Sequence, residues 1–287
     1  MKYMEKIEKR KSIREFKKKE LEAEKIEKIF QGFEDVTRLI PEIDVELVVR
    51  SGDTKNRLEG VTGYRGKSFM APDYLILLSE KADYYLENAG YLTEGLCLLL
   101  TELEISHCWL TVDDSEAAKK AALIDSDKEL VVVIACGYGV KERTKKRLDI
   151  LNPTNVIFRE RKGHIAPKIA QEELVYQDTW GKPVDWEAQQ IDPLLDKSLY
   201  AASLAPSFLN RQPYRYILKG SQVILCVKEE DMTSGHDTLL DAGATMFNFD
   251  AVASEHDWID WQMGAPEGVE ALSIPEEYKA VAYYSWR

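Results

Sequence analysis

The same order of secondary-structure patterns occurs twice along this chain of 287 residues. In each series, a helical pattern is followed by two strand-like runs and then by a long helical pattern. The first series covers residues 20–33, 44–50, 74–79 and 82–104, and the second covers residues 191–204, 214–219, 222–228 and 238–256. Helices and strands that follow one another in this way predict an α/β fold, with central antiparallel or mixed sheets flanked by helices.

Two short matches support an internal duplication. Residues 44–50 match residues 213–219 in pattern, and the triplet Asn-Ala-Gly at residues 88–90 matches Asp-Ala-Gly at residues 241–243. Matches in the same order as the helices and strands are typical of a duplicated chain. The alternative is that any α/β protein repeats such elements by its nature.

The boundaries of the two predicted halves follow from the break between the series. Proline and glycine interrupt the pattern over residues 141–187, which predicts an extended connection. A buried strand over residues 130–136 precedes it, and an edge-like strand over residues 280–285 closes the chain. We therefore expect a first half that includes the connection, residues 1–180, and a second, shorter half, residues 186–287, packed together as a pseudo-dimer.

Charge argues against nucleic acid as a partner, because the chain carries a formal net charge of −12. The charge is unevenly distributed. Residues 1–20 hold nine Lys and Arg against four Glu, whereas residues 221–287 hold three Lys and Arg against thirteen Asp and Glu. Any bound anion is therefore expected on residues of the first half.

Several other classes of protein lack support in the sequence. The N-terminal residues have no apolar signal-peptide stretch, and the apolar run over residues 130–136 is too short to cross a bilayer. The four cysteines show no paired spacing, and the four histidines show no ligand spacing. No glycine-rich dinucleotide fingerprint or Walker loop is present. We expect a cytoplasmic protein with reduced core cysteines, no metal site and no membrane association.

Residues 9–16, which we call the basic segment, read Lys-Arg-Lys-Ser-Ile-Arg-Glu-Phe. A phosphate monoester needs several donors that converge on its oxygens. Two arginines with a hydroxyl between them supply such donors in bidentate geometry. The alternative is a solvated basic stretch that continues into the next three lysines.

Residues 205–214, which we call the amide segment, read Ala-Pro-Ser-Phe-Leu-Asn-Arg-Gln-Pro-Tyr. The prolines restrict the backbone, while Asn210 and Gln212 each offer a donor and an acceptor. Such amides suit the mixed hydrogen-bonding edge of a heterocyclic ring. The alternative is an ordinary turn, since Pro, Ser and Asn are common in turns.

Taken together, the two segments resemble the nitroreductase family. The basic segment is similar to the family's segment for the phosphate of flavin mononucleotide (FMN), and the amide segment is similar to its flavin-ring segment. Weaker similarity lies at residues 63–79, 105–110 and 130–139. In the family, which forms homodimers, the two segments belong to different subunits and meet around one FMN. The resemblance therefore implies a nitroreductase-like α+β fold and an FMN cofactor.

The resemblance also assigns the site residues. For the phosphate it implies Arg10, Lys11, Ser12 and Arg14, and for the ring it implies Pro206, Ser207, Asn210 and Gln212. Arg161, in the basic stretch of residues 159–162, resembles the late basic residues that help to hold the phosphate. Trp109 is a candidate for stacking near the ring, with a core or rim position as the alternative. No catalytic side chain is expected, because the flavin carries the redox chemistry.

The chain departs from the family in a complementary way. Residues 38–43 stand where the first half should have its own amide segment, and they contain no Asn or Gln. Residues 186–190 stand where the second half should have its own basic segment, and they contain no arginine. One FMN per chain is therefore expected, held by phosphate donors of the first half and ring contacts of the second. A monomeric pseudo-dimer would be sufficient for such a site.

The resemblance implies an FMN-dependent oxidoreductase that uses NADH or NADPH. The expected reaction passes a hydride to a small-molecule electron acceptor, of nitroaromatic or quinone-like character. The alternative is a flavin-binding protein without turnover, such as a sensor or a carrier. Other flavin chemistry, such as reductive dehalogenation, is not separated from these by the sequence.

Overall fold

The structure is a computed structural model that describes residues 2–140, 145–152, 155–161, 167–186, 191–228, 235–254 and 260–286. Over residues 145–152 and 155–161 the description is of the backbone alone. The helices are α1 Tyr3–Lys9, α2 Ala23–Asp35, α3 Thr54–Leu58, α4 Tyr85–Glu102, α5 Ser115–Ala122, α6 Gln171–Leu174, α7 Pro193–Ser203 and α8 His236–Ala253. The strands are β1 Val45–Ser51, β2 Asp73–Ser79, β3 Ser106–Leu110, β4 Glu129–Gly137, β5 Lys145–Asn152, β6 Asn155–Arg161, β7 Val175–Gln177, β8 Tyr214–Lys219, β9 Gln222–Lys228, β10 Gln262–Met263 and β11 Tyr278–Ser285.

The first sheet has the strand order β1-β2-β4-β3, and all of its pairs are antiparallel. Successive side chains of a strand point to opposite faces, so Leu75 and Leu77 of β2 pack with α4, while Ile76 and Leu78 pack with α5. Both faces are covered by helices. This explains why β2 and β4 are almost continuously apolar instead of alternating.

The second sheet has the strand order β10-β11-β9-β8-β7. Its pairs are antiparallel except for β7 and β8, which run parallel. The expectation of antiparallel and mixed sheets flanked by helices is therefore confirmed. The expectation of an edge position for the last strand is wrong, because β11 lies between β9 and β10. The strand that covers it, β10, has only two residues, too few to leave a pattern in the sequence.

The connection over residues 141–187 is also more regular than expected. Within its described part, β5 and β6 form a hairpin, and α6 leads into β7, which joins the second sheet. Charged residues interrupt both hairpin strands, and β7 is three residues long. Strands with either feature cannot be predicted from hydrophobic periodicity.

The two long helices, α4 and α8, pack against each other between the two sheets. Each has 18 residues, and most of its residues are buried, as expected for a helix surrounded by protein. The matched triplets at residues 88–90 and 241–243 end in Gly90 and Gly243, and these glycines lie at the contact. A side chain on either one would overlap the backbone of the opposite helix.

All four cysteines are buried and unpaired, as the sequence predicts for core residues. Three of them, Cys97, Cys108 and Cys136, belong to elements of the first sheet and its helix α4, and Cys226 belongs to β9. Among the described helices, none is long and apolar enough to cross a bilayer.

Candidate functional site

The basic segment runs along the edge of the first sheet. The helix α1 ends at Lys9, and the chain then becomes extended, with isolated β-bridges from Ser12 to His107 and from Phe16 to Gly139. The amide of Ile13 donates to the carbonyl oxygen of His107 over 2.9 Å. These contacts fix the backbone of the segment beside β3 and the end of β4.

Three of the four predicted phosphate ligands are open to solvent. Lys11, Ser12 and Arg14 are exposed, and the Arg14 guanidinium carbon lies 5.5 Å from the centre of the Phe69 ring. Burial raises the pKa of the neighbouring Cys108 thiol, while Arg14 and Ser12 lower it, so both side chains lie near this part of β3. A cation and a hydroxyl on a fixed backbone suit an anion that arrives from solvent.

Arg10 has a different environment from the rest of the basic segment. Its side chain is 8% exposed, and its Nε lies 3.1 Å from Oε1 of Glu94, which is completely buried in α4. Burial raises the pKa of Glu94 to about 7, against the opposing effects of the charges of Arg10 and Lys168. Arg10 is therefore held inside the protein by a carboxylate that the sequence analysis did not identify.

His107 lies under the basic segment. Burial lowers its pKa to about 4, and the charge of Arg10 acts in the same direction, so the imidazole is neutral near pH 7. Its Nδ1 lies 3.1 Å from the carbonyl oxygen of Ile105, which can only accept, so Nδ1 carries the proton. In the described part of the chain, Nε2 of this buried ring has no hydrogen-bond partner.

The amide segment has an irregular backbone. Three of its residues, Leu209, Asn210 and Gln212, have positive φ angles of 49°, 58° and 50°. Non-glycine residues seldom adopt this conformation, and clusters of such residues are typical of functional sites. The turn is held by Asp241, whose carboxylate accepts from the amide of Phe208 at 3.0 Å.

The two predicted ring amides contact the connection between the halves. Asn210 Nδ2 donates to the carbonyl oxygen of Pro167 over 2.7 Å, and Gln212 Oε1 accepts from the amide of Ile169 at 2.8 Å. Gln212 is buried, and its backbone amide donates to Ser207 Oγ over 2.9 Å. The amides thus fix residues 167–169 against the amide segment. Pro206 and Ser207 are half-buried beside them.

Lys168 links the two segments. Its Nζ donates to the carbonyl oxygen of Ala205, at the start of the amide segment. Burial and the charge of the nearby Arg10 guanidinium together lower the pKa of Lys168 to about 8, against the opposing charges of Glu94 and Asp241. Burial raises the pKa of the Tyr214 phenol, and the charge of Arg10 lowers it, so Tyr214 also lies near this arginine.

The loop that precedes β2 is a second link. Phe69 packs under Arg14 of the basic segment, and the Tyr64 ring centre lies 5.9 Å from that of Phe208 in the amide segment. The structure therefore brings the two predicted segments together. It adds Glu94, Lys168 and Asp241 to them. Glu94 and Asp241 are carboxylates within the largely apolar helices α4 and α8, which is the signal that the sequence contains for them, whereas Lys168 gives no local signal.

Trp109 and Arg161 are the two predicted residues that remain. The indole Nε1 of Trp109 donates to Cys97 Sγ over 3.0 Å, and the half-buried ring packs against the core of the first half. This packing corresponds to the core alternative for Trp109. Arg161 is the last residue of β6, and its side chain lies outside the described residues.

A cavity of about 330 Å³ lies elsewhere, near the start of α5 and α8. Its lining includes Asp113, Asp114, Glu129 and the exposed His236, and none of the predicted site residues. The described residues contain no group of three or more His, Cys, Asp or Glu side chains placed to hold a metal ion.

Comparisons with known proteins identify the family of the chain. A family model described as "Putative TM nitroreductase" matches residues 2–253. The chain is similar to a solved protein of Thermotoga maritima MSB8, described as a putative nitroreductase. The identity is 18% and the TM-score 0.57, with 99% of this chain and 94% of that chain covered. This likeness shows a shared fold.

Shorter solved proteins match about half of the chain. A nitroreductase with bound FMN from Bacteroides fragilis NCTC 9343 has 19% identity and a TM-score of 0.42, over 55% of this chain and 98% of that one. An FMN-dependent nitroreductase from Clostridium difficile R20291 has 20% identity and a TM-score of 0.42, over 48% and 88%. Among curated proteins, none matches the chain. Because the family model covers most of the sequence, the chain belongs to the nitroreductase family.

Proposed function

We propose that this protein is an FMN-dependent oxidoreductase with one flavin site per chain. The single observation that carries the proposal is the meeting of the basic and amide segments, which are far apart in sequence, around Arg10, Lys168 and Ala205. Neither half contains both segments. A complete site therefore needs both halves of one chain, and a second chain is not required.

The phosphate end of the site fits the residues present. Ser12 and Arg14 are exposed on a backbone fixed by β-bridges, and Lys11 precedes them. We assign these three to the FMN phosphate, together with Arg161, whose strand β6 lies in the connection. Charge-assisted hydrogen bonds to phosphate are among the stronger polar contacts of proteins.

The ring end fits through polar groups held at fixed positions. Arg10 Nε and both oxygens of Glu94 are buried without hydrogen-bond partners in the described part of the chain. Buried polar atoms that lack a hydrogen bond, next to a predicted binding segment, are consistent with a further polar partner. We assign Pro206, Ser207, Asn210 and Gln212 to the ring. We also assign Arg10 to the ring and no longer to the FMN phosphate.

When bound, FMN supplies the redox chemistry, and NADH or NADPH supplies the hydride. The chain's own residues then have three tasks. They anchor the phosphate, place cationic donors near the ring carbonyl that becomes electron-rich on reduction, and leave one ring face open to a small acceptor. The proposed acceptors are nitroaromatic or quinone-like molecules.

The two matched halves support an internal duplication as the origin of this arrangement. Residues 1–180 form the first unit with the connection, and residues 186–287 form the second. The glycines of the matched triplets lie at the α4–α8 contact, where the corresponding helices of two subunits would meet in a dimer. On this proposal a single chain replaces the homodimer of the family.

The deciding experiment is to purify the protein and record its absorption spectrum before and after addition of FMN. A yellow protein, or one that takes up FMN stoichiometrically, is expected, and it should oxidise NADH or NADPH in the presence of a nitroaromatic or a quinone. A protein that takes up no FMN would contradict the proposal. Flavin uptake without steady oxidation of either nicotinamide would instead favour a sensor or a carrier.

A further inference from the structure

The ion pair between Arg10 and Glu94 is unusually deeply buried. The Glu94 side chain is 0% exposed and that of Arg10 is 8% exposed. Taking two charges out of water is costly unless their attraction and additional hydrogen bonds offset the loss of hydration. Here the Arg10 Nε and Glu94 Oε1 lie 3.1 Å apart but not in hydrogen-bond geometry, and Asn248 is a further polar group near the carboxylate. Stability alone does not explain such a pair.

Groups from several elements face Glu94. Arg10 comes from the basic segment, Lys168 from the connection and Asn248 from α8. Cys97, on the same helix, and Tyr214, on β8, are each affected by the Glu94 charge. Two of these groups are cations. The charge of Asp241 also acts on Lys168, so the cluster is close to neutral when Glu94 is ionised and positive when it is not.

We propose that Glu94 is a positioning residue of the flavin site, which holds the Arg10 guanidinium between the basic and amide segments and offsets part of its charge. This inference rests on the proposed function. Without Glu94, the Arg10 side chain loses the buried carboxylate that lies 3.1 Å from its Nε, and Lys168 loses a neighbouring negative charge. Glu94 acts on the flavin through Arg10 and not by contact.

The charge of this cluster should appear in the reduction potential of the bound flavin. Reduction makes the ring more electron-rich, so a nearby positive charge favours the reduced form. Glu94→Gln keeps the size of the side chain and removes its negative charge. We expect the reduced flavin to be favoured at least tenfold more than in the wild type, which is about 30 mV for a two-electron couple.

The experiment is a spectroscopic redox titration of the flavin-loaded protein at pH 7.5, between the pKa of about 7 of Glu94 and that of about 8 of Lys168, where both groups are mainly charged. Glu94→Asp, which keeps the charge, should stay closer to the wild-type potential than Glu94→Gln. The matched control is Glu87→Gln, since Glu87 is also a buried carboxylate of α4 but has no ion pair in the described structure. We expect no change in the potential of that variant.

A second variant should shift the reduction potential in the opposite direction. Arg10→Gln removes the cation and leaves the carboxylate, so it should shift the potential in the negative direction, and it keeps the inference testable if Glu94→Gln does not fold. Flavin-loaded variants with unchanged potentials would overturn the role of Glu94 and leave the proposed function intact. A wild-type protein that takes up no flavin would overturn both.

Discussion

Gly90 and Gly243 face each other across the contact between α4 and α8. A Cβ atom at Gly90 would overlap the carbonyl group of Leu240, and one at Gly243 would overlap the carbonyl oxygen of Glu87. Both obstacles are backbone atoms, which cannot move aside as a side chain can. The two long helices approach this closely only because neither residue has a side chain.

Gly90→Ala should therefore destabilise the protein, by about 1–3 kcal/mol or more, the usual range for inserting atoms into a packed core. Urea unfolding would measure it. Gly32→Ala is the matched control, because that helical glycine meets only the flexible side chain of Leu99. The higher helix propensity of the introduced alanine should offset much of the strain at Gly32. Equal stability of Gly90→Ala and the wild type would show that the helices separate easily.

Arg14→Ala should weaken FMN binding at the phosphate end. A hydrogen bond to a charged group contributes roughly 1.5–3 kcal/mol, so we expect at least a tenfold rise in the dissociation constant. Riboflavin, which lacks the phosphate, should bind the variant as it binds the wild type. Lys18→Ala removes an equally exposed cation outside the predicted group and serves as the control. An equal loss for both ligands would place Arg14 away from the phosphate.

Asn210→Gly tests the ring end and is preferable to alanine, because Asn210 has a φ of 58°, which glycine adopts without strain. The change removes the donor to the carbonyl oxygen of Pro167 and a predicted contact to the ring. We expect a shift in the visible absorption bands of bound flavin. Asn56→Gly, at an exposed asparagine bonded to Asp53, is the control. An unaltered spectrum would remove Asn210 from the ring site.

Acid should destabilise the fold through His107. Its pKa is lowered to about 4 in the folded protein, from 6.5, so the unfolded chain binds the proton first as the pH falls. Stability that is present above pH 6.5 is then lost between pH 6.5 and 4, by up to about 3 kcal/mol.

His107→Gln should remove this pH dependence. Compared with the wild type, the variant should gain about 2 kcal/mol between pH 7 and pH 5 in urea unfolding. Glu94 has the opposite effect, because its pKa is raised from 4.5 to about 7 and its ionisation therefore lowers stability as the pH rises through this range. This effect is common to the wild type and His107→Gln, so it cancels in their comparison. Equal loss of stability by His107→Gln and the wild type between pH 7 and pH 5 would contradict this role of His107.

Local patterns were sufficient to predict the elements whose ends are marked in the sequence. The strands β8 and β9 were predicted to the residue, because apolar runs flank the turn at Gly220. The other predicted strands and helices lie within a few residues of the observed ones, but α1, α3, α5, α6, β3, β7 and β10 were not predicted. The hairpin β5–β6 was missed, since charges interrupt its apolar residues.

The two segments of the candidate site were predicted, but the charged residues that join them, Glu94 and Lys168, were not. Arg10 was recognisable in the basic segment, whereas its partner Glu94 lies 84 positions further on and pairs with it only through the packing of the folded chain. Lys168 lies in a stretch that shows no periodicity. Its contact with Ala205 depends on the path of the connection, which no local pattern determines.

The burial of all four cysteines makes thiol chemistry a measure of local opening. In the native protein, alkylating reagents should react slowly, because each sulfur is shielded from solvent. Cys226 reports on the sheet of the second half, and Cys136 reports on that of the first. Mass spectrometry of briefly labelled samples would therefore reveal whether the two sheets unfold as one cooperative unit or separately, without any introduced probe.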